Sequence, residues 1–306
     1  MSDDLLPALR DYDRRERCAS ACICCGGTDL RKSPAVLMPF VAHRALGWAP
    51  VEIDASWGLR SVPAGHAMTV CNSVCCGDCG MLFLDIRFSP REMRALYHDY
   101  RGAAYTRLRE SYEPGYLARN AVLDAAATYL PAVESFLEPL LPARPRVLDW
   151  GGDTGRNTPF ASRAERVDIF DISDKPVLPG MRRVDAGTAA QAGYDLVVCS
   201  NVLEHVPYPA DLIGALRTAM TRDTVLYVEV PYERLMRAHP GSRELHRAKR
   251  HWHEHVNFYS EEALRRLLVN CGLEVCASAV LEFASVSDAG AALQVAARRR
   301  APRAQA

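Results

Sequence analysis

The chain of 306 residues is long enough for one large domain and one small domain. Its composition, 49% hydrophobic and 24% charged, is that of a globular protein and excludes a largely disordered chain. Because 37 basic residues balance 37 acidic ones, no global charge attracts nucleic acid or an anionic membrane. The acidic start and the lack of a long apolar run predict neither a signal peptide nor a transmembrane helix, so we expect a cytoplasmic protein.

The first chemically informative feature is a pair of Cys-x-x-Cys-Gly units, Cys22-Ile-Cys-Cys25-Gly26 and Cys76-Gly-Asp-Cys79-Gly80. The two-residue spacing lets both thiolates of a unit reach one ion, and the following glycine permits a tight turn. We predict a closed four-thiolate site for structural zinc, with iron as the lesser option. Other cysteines offer alternative registers that the trailing glycines disfavour: Cys18, Cys24, Cys71 and Cys75.

The chain divides into three predicted regions. Residues 1–88 form a small metal-stapled module, at a size where a hydrophobic core alone is marginal. Ser89-Pro-Arg-Glu92 is a helix start, with serine as the cap, proline at the first helical position and glutamate at the third. Helical periodicity with recurrent tyrosines follows, including Leu117 to Leu141, so residues 89–142 are predicted to be a helical connector that caps a cleft. Residues 143–306 are the main domain.

Strand and helix patterns alternate in the main domain. The alternation predicts an α/β fold with a doubly wound, Rossmann-like, mostly parallel sheet of seven strands. A helix from Ser260 to Asn270 has a serine cap and early glutamates. The strand candidates are Arg146–Asp149, Arg166–Phe170, Leu196–Cys199, Thr224–Val230, Leu273–Ala279 and Ala292–Ala297.

A glycine-rich turn, Leu148-Asp-Trp-Gly-Gly-Asp-Thr-Gly155, follows the first strand of this domain. Glycines let a backbone pass close to a ligand, and Asp171 lies at the end of the next strand, where an acid can accept hydrogen bonds from ribose hydroxyls. Together these features predict an adenosine cofactor. The acids Asp149 and Asp153 within the turn would repel a pyrophosphate but suit a ligand with a positive amino group, which disfavours a nicotinamide dinucleotide.

At these residues the sequence resembles the class I S-adenosylmethionine-dependent methyltransferases, over about residues 146–297. Ser200-Asn-Val-Leu-Glu-His-Val206 is similar to their fourth-strand motif. The family has glycine where this chain has Asp153, and we expect the Asp153 carboxylate to bind the methionine amino group of the cofactor. The resemblance implies S-adenosylmethionine as cofactor and these binding residues: Asp149, Gly151, Gly152, Asp153, Gly155, Asp171, Ile172, Asp185, Ala186 and Ser200.

The cysteine module, together with Gly80–Asp85 and the tyrosine-bearing segment, resembles the N-terminal zinc-binding domain of bacterial sugar methyltransferases, notably the C-3-methyltransferases of deoxysugar pathways. This resemblance implies a small-molecule acceptor, a sugar or nucleotide-sugar. The resembled enzymes carry a further C-terminal domain, whereas this chain stops soon after its last predicted strand. We therefore expect methylation of oxygen rather than of carbon, which would also require a stabilised enolate.

A histidine-rich segment, Arg250-His-Trp-His-Glu-His255, is the predicted acid/base site. Methyl transfer requires the acceptor to lose a proton, so a base with a pKa near neutral is useful. In the resembled sugar methyltransferases a Glu-His pair lies at the substrate, and Glu254-His255 matches it. We expect His255, oriented by Glu254 or by another acid, to be the general base. His205, at the end of the fourth strand, is the second candidate.

Several alternatives remain open. The alternating histidines His251, His253 and His255 could form a metal site, although no second element that supplies ligands is evident. Alternatively, the segment could be a polar loop. The whole chain could be a non-catalytic binding protein that retains the cofactor fold. It could also be a zinc-ribbon methyltransferase acting on nucleic acid, against which the balanced charge argues.

Overall fold

The computed structural model describes residues 16–59, 64–118, 127–173, 175–191, 193–284 and 289–301. The helices in these ranges are α1 (Pro39–Leu46), α2 (Pro90–Tyr97), α3 (Ala103–Tyr112), α4 (Leu130–Leu137), α5 (Ala186–Gln191), α6 (Pro209–Thr218), α7 (Arg234–Ala238), α8 (Leu245–Ala248) and α9 (Glu261–Asn270). The strands are β1 (Leu30–Leu37), β2 (Val51–Ile53), β3 (Gly65–Ala67), β4 (Val70–Cys76), β5 (Leu82–Leu84), β6 (Arg146–Trp150), β7 (Arg166–Phe170), β8 (Arg182–Arg183), β9 (Leu196–Ser200), β10 (Val225–Pro231), β11 (His251–Trp252), β12 (Asn257–Phe258), β13 (Leu273–Ala284) and β14 (Ala289–Arg299).

The larger sheet has seven strands in the order β13-β14-β10-β9-β6-β7-β8. All neighbours from β10 to β8 pair in parallel, while β14 pairs antiparallel with both β10 and β13. The predicted Rossmann-like, mostly parallel, seven-stranded sheet is therefore confirmed. Strand order reverses between β6 and β9, so the carboxyl ends of these two central strands form the crevice where such sheets bind ligands.

Local sequence signals account for the helix starts. Ser89 forms a complete capping box with Glu92, and the Ser260 side chain accepts a hydrogen bond from the backbone of Ala263. Three helices, α2 to α4, lie in the predicted connector, but part of its expected helical run, 119–126, falls outside the described residues. None of the helices in the part of the chain that the structure describes is long and apolar enough to cross a membrane.

The last two strands are longer than predicted. β13 and β14 pair over almost their whole lengths as an antiparallel ribbon. The predicted strand ended at Ala279, and Glu282 of the extension to Ala284 is exposed and interrupts the apolar pattern that would have indicated it. Ribbon pairing satisfies the backbone without requiring both faces to be buried.

A second sheet joins the two ends of the chain. Its order is β11-β1-β4-β5-β12, so its three central strands come from the cysteine module and its edge strands come from residues 251–258. β11 pairs in parallel with β1, and β12 pairs antiparallel with β5. Trp252 is completely buried, and its Nε1 donates a hydrogen bond of 2.8 Å to Ser73 Oγ. The histidine-rich segment is thus part of the N-terminal sheet.

Candidate functional site

The turn after β6 has a backbone that requires glycine. Gly151 and Gly155 have φ angles of 86° and 84°, and Asp153, between them, also lies in the left-handed region at 51°. A Cβ atom at Gly151 would lie 2.5 Å from Val202 Cγ2, and one at Gly155 would lie 2.1 Å from Met181 Sδ. Both glycines are needed for conformation and for space, and the turn packs directly against the chain leaving β9.

Asp149 lies beneath this turn. Its carboxylate is buried and accepts a 2.6 Å hydrogen bond from Thr158 Oγ1. Burial raises the pKa of Asp149 to about 7; the hydrogen bond from Thr158 opposes the rise, and the charges of Asp171 and Glu229 add to it. A positively charged ligand at the turn would favour the ionised form of Asp149.

Asp153 and Asp171 connect the turn to the loop after β7. Asp171 accepts hydrogen bonds from the backbone N–H groups of Asp153 (2.9 Å) and Ser173 (2.7 Å). The Asp153 carboxylate lies 3.1 Å from Lys175 Nζ, which in turn lies 6.0 Å from the centre of the Tyr100 ring. We expected Asp153 to bind the amino group of the cofactor; the amino group beside it in this structure belongs to Lys175.

The other predicted cofactor residues follow the carboxyl ends of neighbouring strands. Ile172, after β7, is 62% exposed, an unusual position for a large apolar side chain. Asp185, after β8, accepts a 2.6 Å hydrogen bond from the backbone of Thr188 and so caps α5, while Ala186 packs against the core. Ser200 ends β9. All ten predicted residues therefore lie at the crevice edge of the sheet.

Glu229 on β10 was not predicted. It is almost fully buried, and its carboxylate accepts hydrogen bonds from Ser200 Oγ (2.8 Å), Asn201 Nδ2 (3.0 Å), Tyr227 OH (2.6 Å) and Tyr129 OH (3.1 Å). The only signal in the sequence is one acid in an otherwise apolar strand. The hydrogen bonds of Glu229 therefore hold Ser200 and Asn201 in place at the carboxyl end of β9.

Glu204, His205 and His255 come together a few residues beyond β9. Each offers one oxygen or nitrogen atom, and these atoms all lie within 4.8 Å of one another. His205 Nε2 is 3.6 Å from Glu204 Oε1, and the centres of the two imidazole rings are 4.7 Å apart. His205 and His255 were predicted as separate candidates, whereas Glu204 was not predicted. We call these three residues the His–Glu cluster.

The surroundings shift the pKa values of the three cluster residues differently. Burial lowers the pKa of His205 well below its usual range, and the charge of His255 lowers it further. Burial also lowers the pKa of His255, but the hydrogen bond to Glu233 and the charge of Glu204 outweigh it and raise that pKa overall. Burial raises the pKa of Glu204 to about 7, although His255 opposes the rise. His205 is therefore neutral, whereas His255 readily takes up a proton.

Glu254 binds partners other than His255. Its carboxylate forms a 2.5 Å ion pair with Arg109 and accepts a hydrogen bond from Tyr105 OH. The acid at His255 is Glu233, whose Oε1 lies 2.9 Å from Nδ1 of the ring. Glu233 comes 22 residues before His255, so no short motif indicates the pair.

The connector supplies an aromatic and cationic wall beside the cluster. Tyr97 OH lies 2.8 Å from His205 Nδ1, and the rings of Tyr97 and Tyr100 are 5.4 Å apart. The Arg101 guanidinium lies over the Tyr100 ring at 5.0 Å. Its Nε is buried and has no hydrogen-bond partner within the described ranges.

The other two histidines of the segment lie apart from the cluster. His253 Nδ1 is 3.4 Å from Glu113 Oε1, and the His251 and His253 rings are 5.8 Å apart. The alternative of a metal site formed by His251, His253 and His255 therefore does not describe the arrangement seen. His255 meets ligands from a second element, the chain after β9.

The two cysteine turns face each other as predicted. Gly26 and Gly80, which follow the turns, have φ angles of 76° and 73°, and each donates a hydrogen bond to the carbonyl of the first cysteine of its own unit. The closest sulfur pairs, each with one sulfur from either turn, are 3.6 Å apart. The four sulfur atoms that gather within 4.8 Å belong to Cys22, Cys25, Cys76 and Cys79.

Comparisons with known proteins bear on the family of this chain. The model of a family described as a methyltransferase domain matches residues 123–278, just over half of the chain. A search of curated protein sequences found no match.

Similar solved structures include a Burkholderia thailandensis 1,6-didemethyltoxoflavin-N1-methyltransferase with bound S-adenosylhomocysteine: TM-score 0.47, 16% identity, covering 75% of this chain and 96% of that one. A Synechocystis magnesium protoporphyrin IX methyltransferase has a TM-score of 0.40 and 18% identity, covering 63% and 99%. The glycopeptide N-methyltransferase MtfA has a TM-score of 0.41 and 17% identity, covering 56% and 90%. All three TM-scores are below 0.5, so the assignment rests on the family model. The chain belongs to the methyltransferase-domain family, and the predicted enzyme class, an S-adenosylmethionine-dependent methyltransferase, is confirmed.

Proposed function

We propose that this protein transfers the methyl group of S-adenosylmethionine to a hydroxyl group of a small polar acceptor, a sugar or nucleotide-sugar. One observation carries the proposal: the glycine turn and the His–Glu cluster adjoin. Val202 packs against Gly151 in the turn and stands two residues before Glu204. Sites for the methyl donor and for the acceptor would therefore lie side by side at the carboxyl ends of β6 and β9.

The cofactor would occupy the edge formed by the ten predicted residues. Asp171 would hold the ribose hydroxyls, and the exposed Ile172 would cover the adenine. The Asp185 carboxylate would face the adenine amino group. We further propose that Asp153 exchanges Lys175 for the ammonium group of the methionine moiety, since one carboxylate holds either cation in the same way.

The acceptor would lose its proton at the His–Glu cluster. The acceptor oxygen bonds to the methyl carbon as the carbon–sulfur bond breaks, and the electron pair of that bond stays on sulfur. The hydroxyl proton passes to Nε2 of His255, while Glu233 holds Nδ1 and stabilises the imidazolium. Methylation of oxygen needs only this base and alignment, whereas carbon next to a keto group also needs a stabilised enolate.

The wall beside the cluster supports a nucleotide-sugar as acceptor. Tyr97 and Tyr100 offer aromatic surface with polar tips, which suits a sugar ring. Arg101 adds a cation with an unbonded Nε, and guanidinium groups favour phosphate oxygens. A diphosphate and a sugar together match both features. The balanced charge of the whole chain supports a small molecule rather than nucleic acid or a membrane.

We propose that the four cysteines hold a structural zinc ion. Zn–S bonds of about 2.3 Å in a tetrahedron place sulfur atoms roughly 3.8 Å apart. The closest sulfur separations of 3.6 Å fit this arrangement. Four thiolates leave no coordination position for a substrate, so the ion would support the fold without contacting the acceptor.

Transfer of labelled methyl groups tests the proposal. The protein is incubated with methyl-labelled S-adenosylmethionine and separate panels of nucleotide-sugars, free sugars and RNA, and calorimetry measures cofactor binding in parallel. We expect one cofactor per chain and label in a nucleotide-sugar. Label only in RNA would favour the nucleic-acid alternative, and cofactor binding without transfer to any panel would favour a non-catalytic protein.

A further inference from the structure

We propose that the His–Glu cluster binds a divalent transition-metal ion, in addition to any ion held by the cysteines. Two imidazoles and one carboxylate form a ligand set that suits Fe²⁺, Mn²⁺, Co²⁺ or Zn²⁺ and leaves coordination positions open. The ligands come from two elements: Glu204 and His205 follow β9, and His255 lies between β11 and β12. From the sequence, only the histidine-rich segment was considered as a source of metal ligands.

The spacing of the ligand atoms permits such a site. Metal–ligand bonds of about 2.1 Å place neighbouring ligand atoms roughly 3 Å apart. The His205 Nε2 and Glu204 Oε1 atoms are already 3.6 Å apart, and all three ligand atoms fall within 4.8 Å. Binding of an ion would draw these three atoms closer together.

A second partner holds His255 in the tautomer that a metal needs, and the partners of His205 permit the same tautomer. His255 Nδ1 faces the Glu233 carboxylate at 2.9 Å, and His205 Nδ1 faces the backbone carbonyl of Glu254 at 3.1 Å. The Glu233 carboxylate can only accept, so Nδ1 carries the proton in the His255 ring. Tyr97 OH, 2.8 Å from His205 Nδ1, can donate or accept, and a metal at Nε2 of His205 requires that it accept alongside the carbonyl. Nε2 of each ring then keeps its lone pair for an ion. A carboxylate or carbonyl on the outer nitrogen is the usual companion of a metal-binding histidine.

Glu204 supplies an independent indication of a missing ligand. The residue is only 2% exposed, yet its Oε2 has no hydrogen-bond partner in the described part of the chain. A buried carboxylate oxygen without a donor is unfavourable. The neighbouring acids already have partners: Glu254 forms an ion pair with Arg109, and Glu233 accepts a hydrogen bond from Nδ1 of His255. The charge of Glu204 is therefore the one that an ion would balance.

A bound ion would change how the acceptor is activated, and this step rests on the proposed function. The acceptor hydroxyl would take an open position on the ion, which lowers the pKa of that hydroxyl so that its proton leaves to solvent. The resulting oxygen anion then attacks the methyl carbon, and the sulfur keeps the electron pair of the broken bond. A ligated Nε2 of His255 has no lone pair for a proton, so the ion replaces His255 as the activating group.

Binding of Mn²⁺ alone tests the site, because thiolates select against this ion and the cysteines do not compete. Mn²⁺ is titrated into the whole protein without cofactor or acceptor, and the signal of free Mn²⁺ is followed by electron paramagnetic resonance. We expect one ion per chain and a loss of affinity of roughly ten-fold or more in Glu204→Gln and His205→Gln. His251→Gln, on the same segment but outside the cluster, should bind as the wild type does.

Circular dichroism confirms that each variant is folded, and His255→Gln replaces any buried variant that is not, since that side chain is 39% exposed. No saturable binding by the wild-type protein would overturn the proposal, as would unchanged binding by the folded cluster variants. Methyl transfer is assayed with and without added Mn²⁺ on the same preparations. Binding without transfer would refute the proposed function alone, and transfer without binding would refute the metal site alone.

Discussion

At the scale of single residues, Asp149 combines a folding penalty with a proposed role in binding. Its pKa is about 7 in the folded protein, against about 3.9 in an unfolded chain. At a pH between these two pKa values, the carboxyl group of Asp149 is ionised in the unfolded chain but protonated in the folded protein. The contribution of Asp149 to the free energy of unfolding therefore falls as pH rises. An uncharged side chain at position 149 would remove this loss of stability.

We therefore predict that Asp149→Asn is more stable than the wild-type protein without cofactor, although it binds the cofactor more weakly. The advantage in free energy of unfolding should grow by about 2 kcal/mol or more between pH 5 and pH 8, since one pKa unit corresponds to roughly 1.4 kcal/mol. Urea unfolding at both pH values measures it. The same change in the free energy of unfolding at the two pH values would contradict the assignment of a raised pKa.

Gly155 tests the steric requirement of the turn. A methyl group there meets Met181 Sδ on a backbone with a φ of 84°, so Gly155→Ala should weaken cofactor binding by roughly ten-fold or more through displacement of the turn. Calorimetry with S-adenosylmethionine measures the effect. Gly214→Ala is the matched control, since it lies in α6 with open space around it and should gain up to about 1 kcal/mol of stability. Unchanged cofactor affinity in Gly155→Ala would remove the turn from the binding site.

At the scale of elements, the histidine-rich segment is positioned by its two short strands. Trp252→Phe removes the hydrogen bond to Ser73 from a completely buried site. We predict a loss of about 1–2 kcal/mol of stability, together with lower turnover, because β11 positions the chain leading to His255. Thermal unfolding and steady-state kinetics measure the two effects. Trp57→Phe, at a side chain that is 49% exposed, should change neither, and a similar effect there would show that β11 has no special role.

The elements also show which parts of the site the sequence could reveal. The glycine turn, Asp171 and the caps at Ser89 and Ser260 are local patterns of a few residues, and each could be predicted from spacing. The cluster could not. It depends on contacts between distant segments, such as the 2.8 Å hydrogen bond from Val256 N–H to the carbonyl of Glu204, and no periodicity within one segment encodes so distant a partner. The pairing of His255 with Glu233 was hidden for the same reason.

At the scale of the whole molecule, α9 links the cysteine turns to the methyltransferase domain. Ser260, its cap, donates a 2.6 Å hydrogen bond to the carbonyl of Cys79, and Asn270, at its other end, donates one of 3.3 Å to the carbonyl of Cys24. Together with the shared sheet, these contacts bind the cysteine module to the domain that carries the site. Loss of a metal ion from the cysteines should therefore affect the methyltransferase site, although the ion and the site are not in direct contact.

We predict that the purified protein carries one zinc ion per chain in its cysteines and that Cys76→Ser loses it. The variant should show a lower Tm and lower turnover, because a structural zinc contributes folding free energy directly. Metal analysis and thermal unfolding measure the change. Cys276→Ser, at an exposed cysteine outside the turns, should keep the ion and the Tm of the wild type. A zinc content per chain in Cys76→Ser equal to that of the wild type would refute the four-thiolate assignment.

The most direct test of the central claim is the rate of methyl transfer from S-adenosylmethionine to a nucleotide-sugar in His255→Ala. Loss of a base or of a metal ligand predicts a fall of roughly 10²-fold or more, with cofactor affinity unchanged. His253→Ala, two residues away but outside the cluster, should keep the wild-type rate. Full activity in His255→Ala, measured beside an unchanged cofactor affinity, would contradict the placement of the acceptor at the His–Glu cluster.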